Sequence, residues 1–330
     1  MKVKALIIRF SSIGDIVLTS PIMRCLHKQL KGDVEIHYLT KKKYAALLQA
    51  NPYIHKLHFL EDKLKDVYGP LKNEQFDYVI DLHNNLRSAR VKHTLKKLSF
   101  TVDKINVRKW LITQFKINRL PDLHLVDRYF NCVKALGLSN DGLGLDCFIP
   151  PTDEADVSEL PTPFSKGYIA FAIGGTYTTK KLPQNKIVDL CRRIERPVIL
   201  LGGQKDKATG ARIGSLCGQH VYNACGSFSL MQSASIISKA DKVITHDTGM
   251  MHIASAFGKN IIVIWGNTIP AFGMYPYLRH GEGSAKSFEV KELRCRPCSK
   301  LGYDKCPKKH FYCMQLQDTD MIAAAVNANL

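Results

Sequence analysis

Residues 3–20 read VKALIIRFSSIGDIVLTS, and this stretch decides the fold. An apolar run of strand length is followed by a short turn with Gly14 and then by a periodic apolar segment over residues 16–30 that is typical of an amphipathic helix. In an open parallel sheet such a turn lies at the carboxyl end of the strand, where α/β folds bind their ligands. Asp15, in the first turn of the helix, can act there as a base. It can also, together with Ser12, only cap the helix and complement its dipole.

The same alternation of short apolar runs and helix-like segments continues along the chain, which is typical of βαβ units with a parallel sheet. It is interrupted over residues 150–166, where four prolines and an acidic stretch indicate a linker, and then restarts. The pattern predicts an α/β protein of two doubly wound, Rossmann-like domains that face each other across a cleft. We predict a first domain over residues 1–155, a linker over 156–166, a second domain over 167–315, and a terminal helix over 316–330 that could pack back on the first domain.

The composition is that of a globular protein, with 45% hydrophobic and 23% charged residues among 330. No stretch approaches the roughly 20 apolar residues needed to cross a bilayer, and the segment from Met1 to Lys4 leads directly into a strand rather than into a signal peptide. We therefore expect a cytoplasmic protein. Because Lys and Arg outnumber Asp and Glu 47 to 29, its partners are expected to be anionic.

The basic excess is densest between Arg87 and Arg119, where ten Lys or Arg residues accompany one acid, Asp103. Aromatic residues, among them Trp110 and Phe115, are interleaved with these cations. A mixture of this kind suits an anionic amphiphile or the surface of a membrane. The simpler alternative is a solvated basic face with a few aromatic residues of the core. A nucleic-acid-binding protein would also explain the charge, but the sequence contains no DNA- or RNA-binding motif.

One loop of the second half has the composition of a diphosphate-binding loop. Residues 173–181 offer two glycines for close approach of the backbone, hydroxyl donors and a lysine pair, and they follow a predicted strand. The loop is not a Walker motif, and no G-x-G-x-x-G sequence occurs in the chain. A P-loop NTPase and a NAD-dependent enzyme are therefore disfavoured.

Two further loops lie at the ends of predicted strands in this half. Residues 245–252 join a strand to a helix whose first N–H groups can bind a phosphate, although the polar residues at its start can serve only as the cap and His252 can simply pack inside. Residues 202–206 contain Asp206, which can accept hydrogen bonds from a ribose. The alternative for this loop is a surface turn.

Four segments of the chain carry a shared pattern. They are IRFSSIGDIVLTSP (residues 8–21), DLHNNLRS (81–88), KKLP (180–183) and THDTGMMHIASAFG (245–258). Together they resemble glycosyltransferase family 9, the heptosyltransferases of lipopolysaccharide core assembly. The resemblance implies a GT-B fold, with an N-terminal domain that binds the acceptor and a C-terminal domain that binds an ADP-linked sugar. The chain departs from the family pattern at Leu182, where the family often has Trp, and at Asn267, where it has Pro, so the donor sugar stays open.

By this resemblance Asp15 is the base that takes the proton of the acceptor hydroxyl, and Lys180 is the cation that contacts the donor phosphates. With the loops above, the donor site is predicted to include Gly174, Gly175, Thr176, Lys180, Gly203, Asp206, Asp247, Thr248, Gly249 and His252. The acceptor site is implied to include Ser12, Gly14, His83, Arg87 and Ser88. An enzyme of this kind inverts the anomeric centre and requires no divalent metal or other cofactor, because fixed dipoles and a cation stabilise the leaving diphosphate.

Four of the ten cysteines are clustered near the end of the chain, and the other six lie in apolar settings typical of the core. The cluster consists of Cys295, Cys298, Cys306 and Cys313, and His310 lies among them. Four cysteines at this spacing can bind a structural zinc ion tetrahedrally. The alternative is four free thiols packed under a loop.

The sequence therefore predicts an inverting glycosyltransferase that moves a heptose or a related sugar from an ADP-sugar to the lipopolysaccharide core or to another lipid A-linked acceptor. It is expected to be a peripheral protein at the cytoplasmic face of the inner membrane, and nucleic acid is not an expected partner. A GT-B nucleotide-sugar hydrolase or epimerase is the alternative, since it would bind the same donor without a large anionic acceptor.

Overall fold

The computed structural model of the protein describes residues 2–161 and 164–328, and it divides into two compact units. The first domain consists of Met1–Ile105 and Leu123–Pro150, and the second consists of Asn106–Asp122 and Pro151–Leu330. Residues 162 and 163 of the predicted linker, residues 329 and 330 of the predicted terminal helix, and Met1 lie outside the described residues.

The first domain is built on a five-stranded parallel sheet. Its strands are β1 Lys2–Ile8, β2 Asp33–Lys41, β3 Lys56–Leu60, β4 Tyr78–Asp81 and β5 Leu98–Thr101. The helices of this part of the chain are α1 Ile13–Val17, α2 Ser20–Gln29, α3 Tyr68–Asn73, α4 Leu86–Leu95, α5 Asn106–Phe115 and α6 Leu125–Val133, of which α5 belongs to the second domain. Lys116, just after α5, donates hydrogen bonds to the carbonyls of Cys295 and Pro297, and these bonds tie the segment to that domain.

The order of the strands places a ligand-binding edge in the first domain. The sheet runs β3-β2-β1-β4-β5, so the chain winds outward from β1 in one direction and then returns past β1 to continue in the other. At such a reversal the loops after the two central strands separate and leave a crevice at their carboxyl ends. Asp15 lies in the first turn of α1, which follows the loop after β1, and His83 lies in the loop after β4.

The second domain repeats this plan with a six-stranded parallel sheet. Its strands are β6 Ile169–Ala172, β7 Val198–Leu201, β8 Val221–Asn223, β9 Lys242–His246, β10 Asn260–Trp265 and β11 Ser284–Glu289. Its helices, besides α5, are α7 Gln184–Arg193, α8 Lys207–Cys217, α9 Leu230–Lys239, α10 Gly249–Ala256, α11 Tyr312–Gln315 and α12 Thr319–Asn327. The order β11-β10-β9-β6-β7-β8 puts the reversal between β6 and β9, and the loops after these two strands carry Lys180 and Asp247.

The central strands form the core because both faces of each sheet are covered. Every residue of β6 and β7 is buried, as are the last four residues of β1. Strands buried on both faces read as continuous apolar runs rather than as alternating patterns, which is why the sequence predicts them well.

The predicted helix over residues 16–30 is in fact two helices, α1 and α2. They are separated at Leu18 and Thr19, and α2 begins with Pro21 in its first turn. Proline has no N–H to donate to Val17, and its ring would clash with the carbonyl of that residue in a continuous helix. The break brings α1 to an end just after the turn that carries Asp15.

Three strands were not expected from the sequence, namely β5, β8 and β11. All three are edge strands, and the residues of β5 and β11 are mostly exposed. Their composition is correspondingly polar, as in the SAKSFE sequence of β11. Edge strands lack the continuous apolar run by which buried strands are identified.

The described residues of the terminal helix α12 pack within the second domain, and the expectation that the helix also packs back on the first domain stays a prediction. It contacts α7 and β10, and its Ile322, Ala323 and Val326 join the core of the second domain. Arg193 of α7 also forms an ion pair with Asp320 of α12 at 2.5 Å. Within the described part of the chain, no helix combines the length and apolarity that a membrane span requires.

Candidate functional site

Asp15 is held by three polar contacts at the carboxyl end of β1. One carboxylate oxygen, Oδ1, forms an ion pair with Nη2 of Arg9 at 2.5 Å. The other, Oδ2, accepts hydrogen bonds from the backbone N–H of Ser12 at 3.0 Å and from its hydroxyl at 2.7 Å. Asp15 therefore does cap α1, as the simpler interpretation of the sequence proposed. Capping does not occupy all its lone pairs, and 18% of its side chain remains exposed.

The charge of Asp15 is fixed by these contacts. Burial opposes ionisation, but the Arg9 guanidinium and the hydrogen bonds from Ser12 outweigh it and hold the pKa of Asp15 down at about 2. The carboxylate is thus ionised at any physiological pH. It can accept a proton during a reaction, although its basicity is low.

Arg9 joins the two loops at the reversal of the first sheet. Besides Asp15, its guanidinium donates to the carbonyl of Ser11 in the loop after β1 and to the carbonyl of Leu82 after β4. Only 6% of Arg9 is exposed. Arg9 was not among the residues predicted from the sequence, although an arginine that follows a run of aliphatic residues in a buried strand needs a buried partner. This signal could have identified it.

The loop after β4 is organised by a buried carboxylate. Asp81 accepts hydrogen bonds from the backbone N–H groups of His83 and Asn84, and Lys92 of α4 forms an ion pair with it at 3.0 Å. Lys92 is therefore part of the loop's framework and not of a solvated basic face. The His83 ring packs edge-on against Phe10, and burial together with the charges of Arg9 and Lys104 lowers the pKa of His83 to about 3, so the ring is neutral.

The predicted acceptor residues fall into two groups. Ser12, His83 and Arg87 lie on the loop edge with at least part of each residue accessible, and Arg87 is exposed in the first turn of α4. Gly14 is buried inside α1, and Ser88 is buried with its hydroxyl exchanging hydrogen bonds with the backbone of Asn85. The structure therefore gives Ser88 the role of capping α4, which occupies the hydroxyl that an acceptor would need.

At the sheet reversal of the second domain, the residue that corresponds to Asp15 of the first domain is a lysine, Lys180. The Nζ of Lys180 lies 2.6 Å from Oδ2 of Asp247 and donates to the carbonyl of the same residue. The same Oδ2 accepts a hydrogen bond of 2.7 Å from the hydroxyl of Thr268, which is buried in the loop after β10. Asp247 thus holds the lysine rather than pointing freely toward a ligand. A third donor of the ammonium group remains for a phosphate.

The three loops predicted to bind the donor meet at this point. A Cβ on Gly174 would lie 2.8 Å from Oδ2 of Asp206 and 3.1 Å from the Cα of Gly202, and one on Gly175 would lie 3.2 Å from the Thr248 methyl group. Glycine is needed at these two positions because the loops approach so closely. The structure therefore brings together the loops after β6, β7 and β9.

Asp206 contributes to this packing with both of its oxygens. Oδ1 forms an ion pair with Lys181 at 3.2 Å, and Oδ2 accepts the backbone N–H of Gly203 at 3.1 Å. Thr176, in the loop after β6, is exposed. Lys181 is thereby placed beside Lys180 as a second cation of the site.

The helix α10 begins at the centre of the site. Thr248 is its N-cap residue and Gly249 its first residue, so its free N–H groups and the positive end of its dipole are available to an anion. His252 is buried, as the simpler interpretation proposed. His246, at the end of β9, is neutral, because burial and the nearby Lys181 lower its pKa to about 3, and it accepts the backbone N–H of Leu182.

Arg296 supports the same site from behind and was missed by the sequence analysis. Its guanidinium donates to the carbonyls of Gly266 and Thr268 and forms an ion pair with Glu289 at 2.6 Å. These bonds fix the loop that presents Thr268 to Asp247. No sequence signal separates Arg296 from the other basic residues of its segment.

The clustered cysteines do not form a group of three ligand atoms that all lie within 4.8 Å of one another in the part of the chain that the structure describes. All ten cysteines are free thiols, and the sulfur of Cys295 lies 3.8 Å from Nε2 of His310. In the described residues, the groups that place three ligand atoms within 4.8 Å of one another lie in the first domain and include no cysteine. The zinc site at Cys295, Cys298, Cys306 and Cys313 stays a prediction, without support from these distances.

Comparison with known proteins agrees with this geometry. The model of glycosyltransferase family 9 (heptosyltransferase) matches residues 67–300. Lipopolysaccharide heptosyltransferase 1 of Campylobacter coli is 26% identical over 294 residues, which cover 80% of this chain and 84% of that protein.

Two solved structures share the fold over nearly their whole length. The glycosyl transferase family 9 protein of Veillonella parvula superposes with a TM-score of 0.76 at 21% identity, covering 98% of this chain and 95% of that one. The ADP-heptose lipopolysaccharide heptosyltransferase II of E. coli superposes with a TM-score of 0.69 at 19% identity, covering 95% and 98%. The predicted GT-B class of two parallel-sheet α/β domains is therefore confirmed. Because the family model covers most of the chain, the protein belongs to glycosyltransferase family 9 and is a glycosyltransferase.

Proposed function

We propose that this enzyme transfers a heptose from ADP-heptose to the lipopolysaccharide core, with inversion at the anomeric carbon. The observation that carries the proposal is the positioned lysine of the second domain, which lies beside the open end of α10. The relatives from Campylobacter coli and E. coli are lipopolysaccharide heptosyltransferases, which supports the sugar and the class of acceptor. The low identity to both is the reason why the donor needs an experiment.

The second domain has what a leaving diphosphate requires. When the bond between the anomeric carbon and the phosphate oxygen breaks, negative charge develops on the diphosphate. Lys180 and the N–H groups at the start of α10 would stabilise that charge with fixed groups that need no rearrangement. Lys181 adds a second cation nearby.

The first domain would supply the proton acceptor. The acceptor hydroxyl forms a bond to the anomeric carbon from the side opposite the leaving group, which inverts that centre, and its proton passes to Asp15. The products are the extended core, ADP and a protonated carboxyl group that then releases its proton to water. A carboxyl group with a pKa of about 2 releases this proton readily and returns to the carboxylate.

The test is ADP release from ADP-heptose with and without a heptose-acceptor core attached to lipid A. We expect release to require the acceptor and the product to carry a heptose of inverted anomeric configuration, as determined by NMR. Equal release without acceptor would instead support the nucleotide-sugar hydrolase. Transfer from another ADP-sugar but not from ADP-heptose would change the donor and leave the reaction type in place.

We further propose that the enzyme works in the cytoplasm, on the anionic surface of the inner membrane. Four large apolar side chains of α5 and the residues after it are exposed, namely Val107, Trp110, Phe115 and Ile117. The Trp110 and Phe115 rings pack edge to face at 5.1 Å. The chain carries cations but no carboxylate between Asp103 and Asp122, so charge complementarity favours anionic headgroups around these rings.

Vesicle flotation tests this surface. The wild-type protein should bind vesicles that contain phosphatidylglycerol, bind pure phosphatidylcholine less, and lose affinity as salt is raised. The Trp110→Ser/Phe115→Ser variant should bind several-fold more weakly, whereas Leu216→Ser, which changes a similarly exposed residue on α8, should bind like wild type. Unchanged binding by the double variant would exclude α5 as the membrane contact.

A further inference from the structure

A cluster of histidines and glutamates lies on one face of the first sheet, away from the loops described above. His37 of β2 pairs in register with Lys56, and His58 of β3 pairs with Leu39. Residues 37 and 39 lie on the same face because side chains alternate along a strand, so the two histidines share that face. Glu74, just after α3, completes the group.

The ligand atoms of this group lie at distances that suit a metal ion. Nδ1 of His37 is 3.0 Å from Nε2 of His58 and 3.9 Å from Oε2 of Glu74. Tetrahedral zinc with bonds near 2.05 Å requires ligand atoms roughly 3.3 Å apart, and the observed distances bracket this value. All three ligand atoms lie within 4.8 Å of one another.

A second, independent observation concerns the polar atoms of His37. The residue is 1% exposed, and its Nε2 is buried without a hydrogen-bond partner among the described residues. A second group of ligand atoms, from Glu35, His37 and His55, also lies within 4.8 Å. The proposed ion would take Nδ1 of His37, so the unpartnered Nε2 shows only that no other group in the described residues fixes the orientation of this ring.

We propose that His37, His58 and Glu74 bind a divalent transition metal ion, with zinc as the ion best suited to two imidazoles and one carboxylate. A water molecule would complete the coordination. The ion would join β2, β3 and the segment that leads into β4, which are separate stretches of the first domain. Its role is to stabilise this domain, because the group lies apart from Asp15 and from the loops at the sheet reversal.

The charged neighbours of the site set its strength. Lys56 lies 2.5 Å from Oε1 of Glu74, and Lys4 lies 3.6 Å from Oε2 of the same residue. Lys2 and Lys4 also pair with Glu35. The Lys56 contact leaves Oε2 for the metal, whereas Lys4 competes with the metal for that atom. Removal of Lys4 should therefore strengthen binding.

Zinc titration of the untagged full-length protein tests the site, by calorimetry and by the metal content of dialysed samples. The Cys295→Ser/Cys298→Ser background removes thiols that would bind zinc elsewhere. In this background we expect one zinc ion per chain and a higher melting temperature with zinc. His58→Gln and Glu74→Gln should weaken zinc binding by about tenfold or more. His93→Gln, which changes an exposed histidine of α4, should leave the zinc affinity unchanged. Lys4→Met should strengthen zinc binding a few-fold.

Cobalt provides a readout that does not depend on whether the His58 variant folds. Co²⁺ bound by imidazole and carboxylate gives visible d–d bands without thiolate charge-transfer absorption, and we expect that spectrum from the Cys295→Ser/Cys298→Ser background. Absence of bound cobalt in that background would overturn the proposal. So would unchanged zinc affinity in a folded His58→Gln protein, since His37 and His58 would then be only a neutral hydrogen-bonded pair.

Discussion

The two domains use the same topology to present opposite charges. At the reversal of each sheet, an ion pair joins an acidic and a basic residue, Asp15 with Arg9 at 2.5 Å and Lys180 with Asp247 at 2.6 Å. In the first domain the carboxylate is the more exposed partner, 18% against 8%, and in the second the ammonium is, 17% against 11%. The more buried partner holds the more accessible one in place. The comparison thus indicates which charge of each pair faces a ligand.

A hydroxyl group completes each pair in the same way. Ser12 donates to Asp15 and Thr268 donates to Asp247, each at 2.7 Å. In the first domain the hydroxyl acts on the accessible partner and lowers its basicity. In the second it acts on the buried partner and fixes the residue that holds the lysine. Equivalent contacts therefore serve the ligand-facing group directly in one domain and indirectly in the other.

The largest effect is expected from the accessible carboxylate. Asp15→Asn keeps the shape and the cap of α1 but removes the proton acceptor, so turnover should fall by about 10²- to 10⁴-fold. ADP affinity, measured by calorimetry, should be unchanged because the donor loops lie in the other domain. Turnover within a few-fold of wild type would show that Asp15 only caps α1. The ion pair of the first domain would then have no catalytic role to compare with that of Lys180.

The accessible cation should come next. Lys180→Met preserves the length of the side chain but removes the charge beside the leaving diphosphate, and turnover should fall by about 10²- to 10³-fold. Unlike the Asp15 variant, it should also weaken ADP binding. If ADP affinity is unchanged, Lys180 serves only to pair with Asp247, and α10 alone provides the anion site.

Much of this arrangement could be predicted from the sequence. Asp15 and Lys180 follow apolar runs of strand length, and the parallel-sheet pattern places them at the ligand-binding edges. Their partners could not be assigned in this way. Asp247 was expected to bind the donor, and the structure shows that it holds Lys180. Because this contact joins residues 67 positions apart, it leaves no local pattern in the sequence. The same holds for Thr268 and Arg296.

The fold shows the same division between local and long-range information. Strands β4 and β7 were predictable from the sequence because each is a buried apolar run of strand length. The edge strand β11 was not predictable, because it is a strand only through its pairing with β10, and this pairing leaves no pattern in the local sequence. The histidine cluster of the first sheet also escaped notice, since His37, His58 and Glu74 are brought together only by the pairing of β2 with β3 and by the end of α3.

A smaller effect is expected from the buried partner of the first pair. Arg9→Met should lower turnover by about ten- to a hundredfold at neutral pH, because Asp15 and the Ser11 and Leu82 carbonyls lose their common donor. The wild-type rate should show no acid limb from Asp15 above pH 4, since its pKa is about 2. Without Arg9, burial raises this pKa, so an acid limb should appear as pH falls from 6 toward 4.

The stability of the wild-type protein and of the Arg9→Met variant should depend on pH through the pKa of Asp15. The pKa of Asp15 is lower in the folded protein than its ordinary value of 3.8, so the pair stabilises the wild type above that value and the contribution is lost as pH falls toward 2. The melting temperature of Arg9→Met should therefore lie below that of wild type at pH 7, and the difference should shrink in acid. A difference independent of pH would mean that Arg9 acts by packing alone.

The smallest effects should come from the two hydroxyl groups, and they sharpen the comparison most. Ser12→Ala and Thr268→Val each remove one hydrogen bond to a carboxylate, and a loss of about 1 kcal/mol corresponds to a change of roughly fivefold. Ser12→Ala should change turnover with saturating donor and leave ADP affinity alone, because its hydroxyl contacts Asp15. Thr268→Val should weaken ADP binding, because Asp247 then holds Lys180 less firmly. If both variants change the same parameter, the hydroxyl groups do not act separately on acceptor chemistry and donor binding, and the correspondence between the two ion pairs is structural only.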